Sequence, residues 1–419
     1  MVIASADGLP PAALSRHAVD RLVRSLLADE LGRQRHRPMT AEMFLAWPAD
    51  QSFADDGLAL DSLERLNLAT RLNQFFHLFE AGIEDYLLAE NRLAGWIDLV
   101  CEGQKDFSGA FTFLTSGSTG EPKRCTHARH ALERETAFWA AMVNDCKRVV
   151  SMVPCHHIYG FLWTVLLPEH KRCEVVDGRL FKGSWRRHLR PGDLVVAVPS
   201  QWHYAAESLA GLPDLAGVSA TSPLEPSVAA RLRQDCLSTL IEVFGASDLG
   251  GIGWRQETTA PFKLLPCWRQ AACSNQLSWQ APDLPALWHD KHLADHLEFI
   301  DECRFLPRGR IDRAVQIGGH NVYPEKIARL IETCPKVAAC VVRLHEQDQL
   351  KAFIVPANIS EIETDETGIN ALEQEINEWC RQSLPPQERP RSLTFGQVVP
   401  TDSLGKPADW QPTLSILTA

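Results

Sequence analysis

One short stretch of this chain constrains its fold and chemistry more than any other. An apolar run at residues 111–114 predicts a buried strand, and it opens into a loop of hydroxyls and glycines that ends in a lysine. Glycines let the backbone approach an anion closely, while N–H groups, hydroxyls and the ammonium supply donors and charge. The stretch predicts a phosphate-binding loop, although flexible surface loops share its composition. Its residues are Thr115, Ser116, Gly117, Ser118, Thr119, Gly120, Glu121, Pro122 and Lys123.

Length, charge and hydropathy narrow the class of protein. At 419 residues the chain is too long for one ordinary core, so we expect two or three domains. A formal net charge of −11 argues against a nucleic-acid partner. Residues 1–11 lack the basic start and apolar centre of a signal peptide, and no apolar run approaches membrane-spanning length. We therefore expect a cytoplasmic protein without a membrane span.

The twelve cysteines are scattered along the chain without CxxC pairs. With no export signal, this pattern favours reduced thiols over a disulfide framework. Cys155, His156 and His157 are consecutive and could be taken for a metal site. Adjacent ligands without a second pair rarely bind a metal, so we predict a different role for this run.

Hydrophobic periodicity divides the chain into three regions. Residues 1–104 predict a mainly helical N-terminal segment, because apolar residues recur at helical spacing between residues 17 and 100. Between residues 105 and 307, short apolar runs alternate with helix-length stretches, which indicates a large α/β core with largely parallel strands. Residues 308–419 predict a smaller α+β domain. The predicted fold class is therefore α/β.

Individual elements are predicted most sharply in the core strands and in the C-terminal region. Pro324 suits the first position of a helix that carries Ile327 and Ile331 on its apolar face. Further predicted elements are strands at 149–153, 194–198, 240–244, 337–342 and 352–355, and a helix at 369–380 that Pro385 and Pro386 would end.

The order of residues in the phosphate-binding loop resembles the signature loop of the adenylate-forming ligases. This family includes acyl- and aryl-CoA synthetases, acyl-carrier-protein ligases, luciferases and the adenylation domains of peptide synthetases. Further segments follow in the family's order, so the resemblance covers roughly residues 105–410. It implies that a carboxylate attacks the α-phosphate of ATP and expels pyrophosphate, after which a thiol attacks the acyl-adenylate. It also implies an adenylation core at 105–307 and a mobile C-terminal lid at 308–419.

Two segments that follow predicted strands have implied roles at the acid and the phosphates. Residues 154–160 resemble the family segment whose aromatic or histidine side chain borders the acyl pocket, and His157 takes that place. Residues 244–251 resemble a segment that usually reads Tyr-Gly-x-Thr-Glu. There Ser247 would bond the phosphate, and Asp248 would bind Mg²⁺ with a carboxylate one methylene shorter. We predict His157 and Asp248 as catalytic residues; a packed histidine and a plain glycine-rich turn are the alternatives.

The resemblance is weaker around the adenine and the ribose. Where the family typically has glycine beside the adenine, this chain has Ala220 and Thr221. Asp295 matches the end of the family's Thr-Gly-Asp and is the predicted ribose ligand, with an ordinary surface aspartate as the alternative. Arg310 lies in a strongly matching segment and is predicted to touch ribose or phosphate. The predicted nucleotide-binding set is Thr115, Ser116, Gly117, Ser118, Thr119, Gly120, Lys123, Ser247, Asp295 and Arg310.

The C-terminal region supplies an implied hinge and a second lysine. Asp312 matches the hinge between the family's domains, and Gly318 and Gly319 would lie in the loop that enters the site for thioester formation. The segment that ends in Lys406 resembles the family's terminal lysine segment, in which a flexible glycine lets one ammonium reach the carboxylate and the α-phosphate. Lys406 is therefore the predicted catalytic lysine of adenylation.

The N-terminal segment contains a run that resembles a different family. Asp61, Ser62 and the leucine after them open an amphipathic helix, as in the phosphopantetheine site of acyl carrier proteins. On that interpretation Ser62 is modified with phosphopantetheine, residues 17–32 and 89–100 are the first and last carrier helices, and the enzyme loads itself. Alternatively, Asp61 and Glu64 form a plain capping box, and the helix opens a shortened ligase core.

The resemblance therefore implies an ATP- and Mg²⁺-dependent ligase that adenylates a carboxylic acid, aromatic or medium-chain, and passes it to a thiol. An acyl carrier protein bearing phosphopantetheine is the expected acceptor, with coenzyme A as the alternative. A hypothesis from another class is a degenerate homologue that binds adenylate or a carrier protein without turnover. Ala220, Thr221 and Asp248 motivate that hypothesis, whereas retention of Lys123 and Lys406 argues against it.

Overall fold

The structure is a computed structural model in which the chain forms two compact units. One unit runs up to Gly309 and the other begins at Arg310, and each has its own hydrophobic core. The residues described are 13–35, 37–107, 109–115, 123–143, 146–212, 214–273, 275–282, 286–311, 314–317, 320–345, 349–357, 366–400 and 409–410.

The helices of the first unit fall into an N-terminal group and a group that alternates with strands. The N-terminal helices are α1 (Arg16–Gln34), α2 (Ala41–Leu45), α3 (Ser62–Phe76), α4 (Glu84–Ala89) and α5 (Leu93–Asp106). The later helices are α6 (Arg129–Met142), α7 (Ile158–Phe161), α8 (Leu167–Lys171), α9 (Pro199–Ala206) and α10 (Pro226–Asp235), and a π-helical turn joins α7 to α8. The predicted helical N-terminal segment is thereby confirmed. Among the described residues, no helix combines the length and apolar character that a membrane span requires.

The strands up to Arg310 form a hairpin, a small sheet and a large sheet. They are β1 (Ala110–Thr115), β2 (Lys123–Ala128), β3 (Arg148–Ser151), β4 (Glu174–Asp177), β5 (Asp193–Ala197), β6 (Leu215–Ser219), β7 (Leu237–Ala246), β8 (Gly250–Arg255), β9 (Phe262–Leu264), β10 (Trp268–Gln270), β11 (Gln276–Gln280), β12 (Trp288–His292), β13 (Asp295–Phe299) and β14 (Arg304–Arg310). β1 and β2 pair antiparallel, as do β10, β11 and β12. The large sheet has the order β13-β14-β9-β8-β7-β6-β5-β3-β4.

The large sheet is parallel in one half and antiparallel in the other. β4, β3, β5, β6 and β7 pair in parallel, whereas β8 and β9 continue antiparallel from β7. Every residue of β3 and β5 is buried, as expected for parallel strands that are covered on both faces. The strands predicted at 149–153, 194–198 and 240–244 coincide with β3, β5 and β7 and are confirmed.

The N-terminal helices share a hydrophobic core with β1. Ser15 caps α1, since its hydroxyl accepts a hydrogen bond from the Ala18 N–H at 3.2 Å. α1 packs on α3 and α5, and Phe75 of α3 contacts the rings of Phe111 and Phe113 with centroid distances of 5.8 and 5.3 Å. Aromatic side chains of this size dominate the energetics of a core. The helical segment is thus built into the first unit.

The second unit is a small α+β structure. It contains β15 (Val315–Ile317), β16 (His320–Val322), α11 (Pro324–Ile331), β17 (Val337–His345), β18 (Gln349–Pro356), α12 (Glu366–Ser383) and β19 (Ser392–Phe395). β17 pairs antiparallel with β18, and β18 pairs parallel with β19. The predicted helix start at Pro324, the strand pair and the helix that ends before Pro385 are confirmed. The mobility of this unit stays a prediction.

Candidate active site

The parallel half of the large sheet gathers three predicted segments at one edge. β3, β6 and β7 run in the same direction, and they are followed by His157, Thr221 and Asp248 respectively. The carboxyl ends of parallel strands meet at the same edge of a sheet, where open α/β sheets form their ligand-binding crevices. The topology therefore gathers these three predicted site segments at the edge where such crevices form.

An ion pair joins the predicted phosphate-loop lysine to the predicted metal ligand. The Lys123 Nζ lies 2.6 Å from Asp248 Oδ2, although 125 positions separate the two residues along the chain. Their side chains are 60% and 41% exposed, so water screens the pair and it stabilises the fold by at most about 1 kcal/mol. A pair held this weakly can exchange its partners for a phosphate and a cation. The structure thus brings two predicted site residues together.

His127 lies on the same strand as Lys123 and contacts the same turn. Its Nε2 donates a hydrogen bond to the backbone carbonyl of Ser247 at 2.7 Å, so this nitrogen carries the proton. Burial of the ring lowers the pKa of His127. Sequence reasoning missed this residue. Its signal is the alternation of β2, which places side chains four positions apart on one face of the strand.

A glutamate of α6 contacts the far end of the turn. Both carboxylate oxygens of Glu135 accept a hydrogen bond from the Gly251 N–H, at 3.0 and 3.1 Å. The indole of Trp139 donates to the Oε1 of Glu135 at 3.0 Å. Burial of the carboxyl group raises the pKa of Glu135 above that of a solvated glutamate. Sequence reasoning missed Glu135 as well, because 116 positions separate it from its backbone partner.

A small cavity borders His127 and Glu135. It has a volume of about 130 Å³, and Trp279 forms part of its wall. Arg134 and Lys291 bring positive charge to the same wall, with their cationic groups 5.4 and 5.9 Å from the Trp279 ring centroid. Typical sites for small organic ligands are larger, about 300–1,000 Å³. We therefore do not assign the acyl pocket to this cavity.

The run at residues 155–157 contains two buried side chains that contact α1, Cys155 and His156, and the half-buried His157. His156 is 4% exposed, and its Nδ1 lies 2.8 Å from the Ser25 hydroxyl of α1. The buried Cys155 thiol donates to the Arg21 carbonyl of the same helix at 3.4 Å. His157 is half-buried at the N-cap of α7, with its ring centroid 4.3 Å from that of His156. Its role beside an acyl pocket stays a prediction.

Tyr159 fastens the ends of two strands at this edge. Its hydroxyl lies 3.0 Å from the carbonyl oxygens of both Ala197 and Val218, in β5 and β6. Burial raises the pKa of Tyr159 well above its usual range, so the hydroxyl keeps its proton and can donate. The hydroxyl therefore links the backbone carbonyls of two neighbouring parallel strands near their carboxyl ends.

The segment after β6 carries backbone strain. Thr221 has a φ of +84°, a conformation that glycine adopts readily and that a β-branched residue rarely adopts. The family that this chain resembles typically has glycine at this position, so Thr221 is a departure from its pattern. The neighbouring Ala220, at the other position where glycine is typical, is buried. Strained residues of this kind cluster at ligand-binding sites, where surrounding structure holds them in place.

The predicted ribose contacts belong to different units. Asp295 is half-buried and begins β13 in the first unit. Arg310 is half-buried, ends β14 and is the first residue of the second unit. The contacts of both residues with a nucleotide stay predictions.

Much of the predicted phosphate loop lies outside the described residues. Thr115 is placed as the last residue of β1, and Lys123 as the first of β2. The predicted roles of the residues between them stay predictions, as do those of the hinge, the thioester loop and the catalytic lysine. The residues concerned are Ser116, Gly117, Ser118, Thr119, Gly120, Asp312, Gly318, Gly319 and Lys406.

Ser62 lies at the start of α3 inside a complete capping box. The Asp61 carboxylate accepts from the Glu64 N–H at 2.7 Å, and the Glu64 carboxylate accepts from the Asp61 N–H at 3.2 Å. Arg35 donates to both oxygens of Glu64, at 2.6 and 2.8 Å. The capping box is confirmed, whereas modification of Ser62 stays a hypothesis.

The chain matches one family model, and it aligns with curated relatives over nearly their whole length. Residues 83–273 match a family model described as AMP-binding enzyme. A 4-coumarate–CoA ligase of Halorhodospira halophila is 38% identical over 399 residues, which cover 94% of this chain and 99% of that protein. A 4-coumarate–CoA ligase of Rhodobacter capsulatus is 35% identical over 402 residues, which cover 94% of this chain and 100% of that protein.

A solved structure shares the fold over nearly the whole chain. The amide bond synthetase McbA from Marinactinospora thermotolerans aligns with a TM-score of 0.56 and covers 94% of this chain and 92% of its own. The two sequences are 14% identical, so this likeness concerns the fold alone. It agrees with the α/β class predicted from the sequence.

Proposed function

The chain belongs to the family of AMP-binding, adenylate-forming enzymes and is an AMP-forming acid–thiol ligase, and on that premise we propose that it joins 4-coumarate, or a closely similar aromatic acid, to coenzyme A. The observation that carries this proposal is the likeness to 4-coumarate–CoA ligases along nearly the whole chain. The ion pair between Lys123 and Asp248 supports only the adenylation step of this proposal, since it sets an ammonium group beside a carboxylate.

Coenzyme A replaces the carrier protein as the first choice of acceptor. The sequence around Ser62 favoured a carrier, but the full-length relatives are named as CoA ligases. Two of them match 94% of this chain, so most of its N-terminal helices correspond to a part that CoA ligases also have. The same relatives argue against the non-catalytic alternative.

In the first half-reaction, a carboxylate oxygen of the acid attacks the α-phosphorus of ATP. The bond from that phosphorus to the oxygen bridging the β-phosphate breaks, and pyrophosphate leaves with the electron pair. The protein must align two anions and neutralise the growing charge. On this proposal Lys123 binds the departing phosphates, the Ser247 hydroxyl donates to a phosphate, and Lys406 neutralises charge on the carboxylate and the α-phosphate.

Asp248 suits a magnesium ion that arrives with the nucleotide. Mg²⁺ in such enzymes is held by one or two carboxylates, with phosphates and water completing its octahedron. Asp248 supplies one carboxylate, and its 41% exposure leaves it accessible to a hydrated cation. When bound, the ion would neutralise part of the phosphate charge. Lys123 would then pair with phosphate in place of Asp248.

In the second half-reaction, the thiol sulfur of coenzyme A attacks the acyl carbon of the adenylate. A carbon–sulfur bond forms, and the bond to the AMP oxygen breaks so that AMP leaves with the electron pair. The thiol proton goes to solvent or to the leaving phosphate. His157 would border the acid during both half-reactions.

Acid-dependent ATP–pyrophosphate exchange tests the first half-reaction. We expect exchange with 4-coumarate, weaker exchange with other cinnamates and benzoates, and least with medium-chain fatty acids. Lys406→Ala and Asp248→Asn should each lower the rate, by about 10²–10³-fold for loss of a group that stabilises the transition-state charge. Thioester formation is then compared with coenzyme A and with a phosphopantetheinylated carrier protein.

Two outcomes would contradict the proposal. No exchange with any acid, alongside clear ATP binding, would favour a non-catalytic nucleotide-binding homologue. Thioester formation on the carrier protein but not on coenzyme A would restore the acceptor that the sequence first suggested.

A further inference from the structure

One continuous segment holds both ends of the turn that carries Asp248. At the start of the turn, the Ser247 carbonyl accepts a hydrogen bond from His127 of β2 at 2.7 Å. At its end, the Gly251 N–H donates to Glu135 of α6 at 3.0 and 3.1 Å. β2 ends and α6 begins at adjacent residues, so the two contacts come from one stretch of chain.

Glu135 is held differently from the other acid on its helix. Glu133 pairs with the guanidinium of Arg129 at 2.7 Å and is 41% exposed. Glu135 instead faces two neutral donors, the Gly251 N–H and the Trp139 indole. Enclosing a carboxylate costs free energy unless donors replace its water. Its hydrogen bonds to the turn are therefore a main compensation for its partial burial.

The two glycines of the turn fit closely against this carboxylate. A Cβ added at Gly251 would lie 2.3 Å from the Oε1 of Glu135, and one at Gly250 would lie 2.8 Å from its Oε2. Both distances are shorter than any ordinary nonbonded contact. Gly250 also has a φ of +79°, which glycine tolerates best. The glycines thus make room for the carboxylate beneath the turn.

We propose that His127 and Glu135 are positioning residues that hold the turn at residues 247–251 against β2 and α6, so that Asp248 faces Lys123. We call this pair the turn brace. Lys123 precedes His127 on the same strand, so one segment fixes both charged groups that would meet the nucleotide. The consequence for catalysis rests on the proposed function, whereas the brace itself rests on contacts alone.

Hydrogen exchange of the ligand-free protein tests the brace without reference to activity. In Glu135→Ala the Gly251 N–H loses its acceptor, so we expect at least tenfold faster exchange in peptides covering 247–251 and no change in peptides of β5. Glu135→Gln keeps a carbonyl oxygen and should stay within threefold of the wild type. Glu133→Gln is the matched control on the same helix. Wild-type exchange of the turn in Glu135→Ala would overturn the proposal.

The dependence of pyrophosphate exchange on Mg²⁺ tests the consequence for Asp248. Glu135→Ala should raise the Mg²⁺ concentration for half-maximal rate about tenfold and leave the KM for the acid within twofold, because the brace acts on the metal ligand. A general loss of folded protein would lower kcat but leave the Mg²⁺ concentration for half-maximal rate unchanged. Glu135→Gln should recover most of the wild-type Mg²⁺ dependence.

A double-mutant cycle keeps the proposal testable if one variant folds poorly. Gly251→Ala drives a methyl group into the Glu135 carboxylate. Like Glu135→Ala, it should raise the Mg²⁺ concentration for half-maximal rate. In the Glu135→Ala background the clash with the carboxylate is gone, and only the 3.0 Å approach to Leu265 Cδ1 remains, which the single Gly251→Ala variant shares. The double variant should therefore be no worse than the worse single variant. If the two substitutions each raise the Mg²⁺ concentration for half-maximal rate by a factor, and the double variant shows the product of both factors, the proposal is overturned. If the wild type shows no exchange with any acid, the proposed function fails, and hydrogen exchange still decides the brace.

Discussion

Asp248 is one methylene shorter than the glutamate that usually occupies this place in the family, yet its carboxylate reaches the Lys123 ammonium at 2.6 Å. If Asp248 serves the nucleotide as proposed, a side chain shorter by one methylene requires the backbone of the turn to lie closer to the phosphates. His127 and Glu135 fix that backbone from both ends. At the residue scale, side-chain length and turn position therefore have to be considered together.

Thr221 is the residue where local conformation and side chain disagree most clearly, with a φ of +84°. Thr221→Gly removes the steric cost of this conformation, whereas Thr221→Ala removes the same polar atoms and keeps a Cβ. We expect the glycine variant to be more stable than the alanine variant by about 1 kcal/mol, after the greater chain entropy of unfolded glycine is subtracted. Urea denaturation of both variants measures the difference. Equal stabilities, or a more stable alanine variant, would show that no strain is stored there.

At the scale of elements, predictions succeeded where the pattern is local. β3, β5 and α11 were predictable because a continuous apolar run, or Pro at a first helical turn, identifies them within a few residues. The sheet of β10, β11 and β12 has short strands with mixed polar and apolar residues, so its pattern is weak. The alternation of β2 gave a signal for the side of the strand on which His127 lies, but the contacts of His127 and Glu135 were not predictable, since their partners lie more than a hundred positions away.

α3 allows a prediction on the carrier hypothesis. Its C-terminal half is buried in the core of the first unit, where Phe75 contacts β1, and its start is fixed by the Asp61 capping box. A carrier protein presents its serine on a separate helical domain, to which a phosphopantetheinyl transferase binds. We therefore expect the intact mass to stay unchanged after co-expression with a broad-specificity phosphopantetheinyl transferase. A gain of one phosphopantetheine that disappears in Ser62→Ala would contradict this.

At the scale of the whole molecule, the described residues of each unit form hydrophobic clusters of their own. The first unit contains a large cluster that joins the N-terminal helices to the sheet, and a second cluster around β5 and α9. The second unit buries its own cluster between α11, α12 and β17 to β19. Because no buried hydrophobic cluster of the described residues spans Gly309 and Arg310, we expect damage to one core to remain confined to its unit.

Ile376 offers a test of this separation, because it is fully buried in α12 within the core of the second unit. Ile376→Ala should destabilise that unit by about 2–5 kcal/mol through lost burial and a residual cavity. Hydrogen exchange should then accelerate in peptides of α12, β17 and β18, while peptides of α1 and β5 keep wild-type rates. Gln374→Ala, on the exposed face of the same helix, is the matched control and should change neither unit. Faster exchange in both units of Ile376→Ala would mean that the two cores unfold together, and that the boundary at Gly309 does not divide the protein energetically.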